Sequence, residues 1–179
     1  KNALFKKFNT KKEADEFIVV NKKITCNNCD TKKNIHNVDE TNFIPDYYVY
    51  TDGACSNNGK KNALAGIGIF FGINDDRNIS KKIEGKQTNN TAELSAIIET
   101  YYIIKDDNDN GKKIEIVSDS EYAINCVSSF GDKCQKQNWN IDIPNKELVK
   151  TAYCLYNNKS NIQFTHIKSH TNNMDEHSI

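Results

Sequence analysis

From Tyr47 onward the spacing of apolar residues changes in an order that admits few folds. YYVYT (Tyr47–Thr51) is a run of strand formers, and AGIGIFFG (Ala65–Gly72) alternates apolar and small residues, as a strand packed closely on its neighbour does. A third short strand is expected near SKKIEG, after the polar turn INDDRN. Short connections between the three imply an antiparallel meander. The period then lengthens: Leu94, Ile97, Ile98, Tyr101 and Ile104 fall at helical spacing, and DDNDNGKK stops the helix. KIEIVSD is a fourth strand, made parallel to the first by the helix between them. A helix from about Glu121, another opened by Pro144, and a fifth strand, IQFTHIK, complete the order βββαβααβ. The fold class is α/β, a mixed five-stranded sheet flanked by helices.

Asp52 follows the first strand directly, although Asp is among the poorest strand formers. Alone it reads as a turn-starting residue that bonds its own backbone ahead of GACSNNG. In the expected topology, however, Asp52 ends the first strand and Asp119, in IVSDS, ends the fourth. Parallel neighbours release both carboxylates side by side, at the sheet edge where α/β folds bind ligands. Glu93 lies in the first turn of the crossover helix. Each acid also has a local role open to it. Glu93 completes a capping box with Asn90 in NTAE, and Asp119 caps the helix starting at Ser120 or Glu121. Those roles leave the mutual repulsion of three carboxylates unrelieved unless a cation neutralises them. A hard divalent cation does so, and Mg²⁺ is the natural candidate because it binds through few carboxylates plus water and substrate phosphate. Two such ions about 3.5–4 Å apart hold both the attacking and the leaving oxygen of a phosphodiester.

The motifs YTDGAC…G, QTNNTAEL, VSDSEYAI, NW…PNKELV and HIKSH resemble, in order and near spacing, those of type 1 ribonucleases H, from Tyr47 to the end of the chain. No single motif is specific; the combination of TDG, a Glu at a helix start, SDS and a late His is. The resemblance implies an RNase H-like fold and an endoribonuclease that hydrolyses the RNA strand of RNA–DNA hybrids. It implies two Mg²⁺ ions, with Mn²⁺ able to replace them, and 3′-hydroxyl and 5′-phosphate ends. Residue by residue it implies metal ligation by Asp52, shared between the ions, by Glu93 and by Asp119, with Gly53 beside them. His170 is implied on a loop, aiding product release or proton transfer, though a His past a strand end also suits a plain solvated loop. Cys55, Asn58, Asn90 and Glu121 match positions that read the minor groove, where the 2′-hydroxyl separates RNA from DNA, and Asn89 joins the same substrate-binding set. Lys86, Thr88 and Asn145 match a pocket for a DNA-strand phosphate. Tyr122, Phe130 and Trp139 match an aromatic channel beside it, each being equally suited to core packing.

The family's fourth carboxylate, an Asp on a helix after the His loop, has no match before the chain stops at DEHSI. The C-terminal helix is therefore missing from these residues; MDEHSI reads as an enlarged His loop that in a complete protein is expected to run on into it, Asp175 is not assigned in its place, and only if the fourth acid is truly gone is one metal site incomplete. Two rival functions follow. One is a catalytically impaired hybrid-binding module. The other is an integrase- or transposase-like nuclease of the same fold, against which TNN before Glu93 and the aromatic set argue.

Ahead of the sheet, ALFKKFNTKKEADEFIVV reads as a short strand, a cap at Asn9 or Thr10, and a helix. It resembles the last strand and helix of the hybrid-binding domain that precedes many eukaryotic-type members. Phe5 is then implied to stack on deoxyribose, while Lys6 and Lys7 meet phosphate. The 24 basic and 24 acidic side chains cancel overall, but residues 1–23 hold seven lysines against three acids, which suits that contact. Such a fragment is too small to bury a core of its own. The expected domains are thus a partial hybrid-binding domain at 1–20, a linker at 21–46 and a catalytic domain at 47–179. Within the linker, Cys26, Cys29 and His36 leave a zinc shell one ligand short, so the CNNC pair is read as two thiols. Six irregularly spaced cysteines do not form a secreted disulfide framework. No apolar run approaches the roughly 18 residues that cross a bilayer, and no signal peptide opens the chain. A soluble, monomeric, intracellular protein of cytoplasm or nucleus is expected, with no membrane partner. Because the first residue is Lys, the sequence is expected to begin part-way into a longer chain, with any targeting segment out of sight.

Overall fold

A computed structural model of the chain describes residues 43–168. Its elements are β1 (Tyr47–Ser56), β2 (Leu64–Phe70), β3 (Ile79–Lys82), α1 (Asn89–Asp109), β4 (Ile114–Ser118), α2 (Glu121–Val127), α3 (Ser129–Lys136), α4 (Lys146–Tyr156) and β5 (Ile162–His166). They form one mixed sheet in the order β3-β2-β1-β4-β5. The first three strands are antiparallel neighbours, whereas β4 lies parallel to both β1 and β5. The expected meander and crossover are both present.

Two details differ from expectation. β1 runs on to Ser56 instead of ending at Thr51. Its parallel ladder with β4 does stop at Thr51 opposite Ser118, but its antiparallel ladder with β2 continues, pairing Asp52 with Gly68 and Ala54 with Gly66. The segment expected as one helix from Glu121 is two, α2 and α3, so three helices separate β4 from β5. They break at Ser128, whose backbone (φ −125°, ψ −119°) is not helical and whose Oγ donates to the Ile124 carbonyl at 2.7 Å. Gly131 explains why α3 takes its own direction. A Cβ there would stand 2.2 Å from the Tyr153 ring and 2.4 Å from the Cys126 carbonyl, so α3 packs against both α2 and α4 through a bare backbone.

The core lies between one face of the sheet and α1. Val49, Ile67, Ile69, Ile114 and Ile116 from the strands meet Ala92, Leu94, Ala96, Ile97 and Ile104 of the helix. Each large aliphatic among them stabilises the fold by about 1.5–3 kcal/mol through burial. The Tyr156 hydroxyl donates to the Ile97 carbonyl at 2.7 Å, fastening α4 to α1. Where β1 and β4 begin, Arg77 stacks over Phe71 (4.2 Å) and pairs with Asp75 (2.7 Å) and Asp107 (3.4 Å). The Tyr47 hydroxyl also donates to Asp107, at 2.8 Å. This closes the end of the sheet remote from Asp52 and Asp119. No helix among the described residues is long and apolar enough to cross a membrane.

Candidate metal centre

Asp52, Glu93 and Asp119 each contribute a carboxylate oxygen to a cluster in which all three atoms lie within 4.8 Å of one another. The topology accounts for two of them. Asp52 is the first β1 residue past the parallel ladder, and Asp119 is the first residue past β4. Gly53 accounts for the third. A Cβ at residue 53 would fall 2.3 Å from the Glu93 nitrogen and 2.6 Å from its Cα, so only glycine lets α1 press its main chain onto β1 at this level.

The local roles open to Glu93 and Asp119 belong to other residues. The N-cap of α1 is Thr88 and not Asn90. Thr88 Oγ1 accepts from the Thr91 backbone N–H at 3.2 Å, and Thr91 Oγ1 accepts from that of Thr88 at 3.0 Å. Asn90 is an exposed residue inside the helix, and Glu93 lies just beyond the first turn. The N-cap of α2 is Ser120, whose Oγ accepts from the Ala123 N–H at 3.2 Å. Neither acid is needed to finish a helix.

Glu93 is only 6 % exposed, and its pKa is pushed up to about 8, first by burial and then by the charges of Asp119 and Asp52. Asp52 keeps an exposed outer face, yet its carboxyl is also raised, by desolvation first and by Asp119 second. A hydrogen bond from the Gly53 backbone partly offsets both shifts. Among the described residues no ion pair reaches any of the three acids. An all-oxygen donor set at this spacing, costly to ionise without a counter-charge, fits a hard divalent cation.

Two polar clusters adjoin the acids. Asn58, in the β1–β2 turn, accepts from the Asn89 N–H at 3.4 Å, which brings that turn to the start of α1. Lys86 Nζ donates to Asn145 Oδ1 at 3.2 Å. Asn145 holds this place in a left-handed backbone conformation (φ 56°) at the start of α4. The Lys86 carbonyl accepts from Thr91 Oγ1 at 2.6 Å, which ties this cluster to the cap that Thr88 forms. Tyr122 and Phe130 line a groove of about 440 Å³ together with Asn125, Cys126, Ser129 and Lys133.

Trp139 does not join them. It is 6 % exposed, its ring stands 5.8 Å from that of Tyr153, and its Nε1 donates to Gln135 at 2.7 Å. The alternative of core packing is the one it takes, because α3 ends by turning it inward toward α4. Glu121 is exposed in the first turn of α2, and Cys55 is half-buried opposite Ala65 in β2. His170, Phe5, Lys6 and Lys7, along with Cys26, Cys29, His36 and Asp175, lie outside the described residues. Sequence reasoning passed over His166, whose Nε2 stands 3.1 Å from the Asp119 carbonyl oxygen. Its only signal was the doubled histidine of HIKSH.

The model of the family described as RNase H matches residues 45–178. A ribonuclease H of Schizosaccharomyces pombe is 38% identical over 128 residues, covering 69% of this chain and 46% of the relative. A ribonuclease H of Clostridium botulinum is 34% identical over 130 residues, 70% of this chain and 84% of the relative. The chain thus spans about half the length of the yeast relative and most of the bacterial one. Among solved structures, the PFV RNase H domain in solution aligns with a TM-score of 0.51 at 19% identity, covering 69% of this chain and 79% of that one, a likeness of fold.

Proposed function

Since the chain belongs to the RNase H family, we propose that it is a Mg²⁺-dependent endoribonuclease that cuts the RNA strand of RNA–DNA hybrids and leaves 3′-hydroxyl and 5′-phosphate ends. The observation that carries this reading is the convergence of Asp52, Glu93 and Asp119 within 4.8 Å, with no ion pair to any of them among the described residues. Asp52, Glu93 and Asp119 are the residues that would hold the cations. When bound, these ions supply the Lewis-acid charge that activates water and stabilises the leaving oxygen.

The chain's own residues orient the substrate. Asn58 and Asn89, joined at the start of α1, and the neighbouring exposed Asn90 and Glu121 offer hydrogen-bonding groups to 2′-hydroxyls across a shallow minor groove. Lys86 and Asn145 grip a phosphate of the opposite strand, and the groove of Tyr122 and Phe130 takes the sugar beside it. Both clusters hang on residues 86–90, immediately ahead of the turn that presents Glu93, so grip and cut are in fixed register.

The full-length protein with Mg²⁺ is expected to cleave the RNA of an end-labelled hybrid and to leave duplex DNA and duplex RNA of the same sequence intact. Asp52→Asn, which removes a charge and little volume, should abolish cleavage with the fold unchanged by circular dichroism. Efficient cutting of duplex DNA, or an undiminished rate in Asp52→Asn, overturns the assignment. Hybrid binding without cleavage by the unaltered protein favours a non-catalytic binding module.

A further inference from the structure

We propose that His166 is a positioning residue for the metal centre, holding the main chain of Asp119 so that its carboxylate faces Asp52 and Glu93. This inference rests on the metal-dependent reading above and adds a residue to it.

Asp119 occupies the short gap between the end of β4 and the cap of α2, where sheet and helix hydrogen bonds both lapse. The residues around it are held by their neighbours. The Ser118 carbonyl accepts from the Ile167 N–H at 3.0 Å, and Ser118 Oγ accepts from the Ser120 N–H at 3.1 Å. The carbonyl of Asp119 itself receives no backbone N–H among the described residues. The His166 ring fills that role, with Nε2 3.1 Å away and donating. Parallel register puts His166 opposite Ser118 in the last rung of the ladder, so the final residue of β5 reaches with its side chain to Asp119, one residue past the end of β4. The ring is exposed, and packing therefore does not explain its place. A carbonyl fixed in direction fixes its peptide plane and, through it, the Cα–Cβ bond that aims the carboxylate. Partners of this outer kind are what set the geometry, and hence the affinity, of metal ligands.

The test uses the full-length protein and Mg²⁺ or Mn²⁺ alone, titrated by calorimetry, beside hybrid cleavage measured across metal concentration. His166→Ala is expected to weaken metal binding about three- to tenfold, the effect of losing one hydrogen bond. At saturating metal, kcat and the KM for hybrid should stay within about twofold of the unaltered protein, because the role proposed for His166 runs through the Asp119 main chain and the metal. His166→Phe, which keeps a ring of similar size on the strand but no donor, should match His166→Ala and guards against a fold defect in the smaller variant. His166→Gln, whose amide N–H can reach the same carbonyl, should restore affinity. Metal affinity unchanged in both His166→Ala and His166→Phe overturns the proposal, as does a deficit that His166→Gln leaves in place. If the unaltered protein binds no divalent metal and cuts no hybrid, it is the functional reading that fails.

Discussion

Glu93 shows what the site demands of a single side chain. Its folded pKa of about 8 stands far above the ordinary 4.5. Between those values the native state holds a proton that the unfolded chain releases, so this residue's contribution to stability is intact below pH 4.5 and is lost as pH rises through 8. Glu93→Gln removes the ionisation and little else. In buffer with a metal chelator, the variant should be more stable than the unaltered protein at pH 8.5, by on the order of 1–3 kcal/mol, and the gap should close toward pH 4.5. Thermal melts across that range measure it. Adding Mg²⁺ at pH 8.5 should reverse the ranking, because the cation stabilises only a carboxylate it can bind. The residue is thus held in a costly state that its ligand relieves, a pattern common at functional sites.

At the level of elements, the contact between β1 and α1 decides whether the acids meet. Gly53→Ala drives a methyl group into backbone that has no rotamer to change, so strand and helix have to part. The expected cost is about 1–3 kcal/mol in urea unfolding, accompanied by weaker metal binding as Glu93 withdraws. Gly68→Ala, where a Cβ meets nothing within 4 Å, should change stability by less than about 0.5 kcal/mol and serves as the control. The order of elements was legible because period 2 and period 3.6 are properties of short windows, and that order alone brings Asp52 and Asp119 to one edge. What escaped depends on distant contacts. The GACS stretch looks like a turn, yet it stays in β1 because β2 supplies Ile67, Gly66, Ala65 and Leu64 opposite it. The break at Ser128 depends on Tyr153 crowding Gly131. NTAE offers a cap at Asn90, but Thr88 and Thr91 form the reciprocal pair two residues earlier. Aromatic identity says nothing about facing, so Trp139 groups with Tyr122 and Phe130 in the sequence, and His166 is marked only by its place beside the later histidine of HIKSH.

The whole molecule divides its work between the two ends of the sheet. Arg77, Asp75, Asp107, Lys112 and Tyr47 tie one another together at one end, whereas at the other Asp52, Glu93 and Asp119 meet with no ion pair among the described residues. With no net charge overall, attraction to a polyanion has to be local. Lys86→Ala should therefore weaken hybrid binding about equally for all sequences and lower the slope of log affinity against log salt by about one, as fluorescence anisotropy at several salt concentrations would record. The single tryptophan adds a practical property. Trp139 sits sealed at the seam where α3 meets α4, with its indole N–H held by Gln135 and its ring near Tyr153. Light absorbed at the red edge of the protein spectrum is therefore emitted from that one seam. Its colour and intensity follow the opening of α3 from α4 directly, and the unfolding of every variant named above can be watched without attaching a dye.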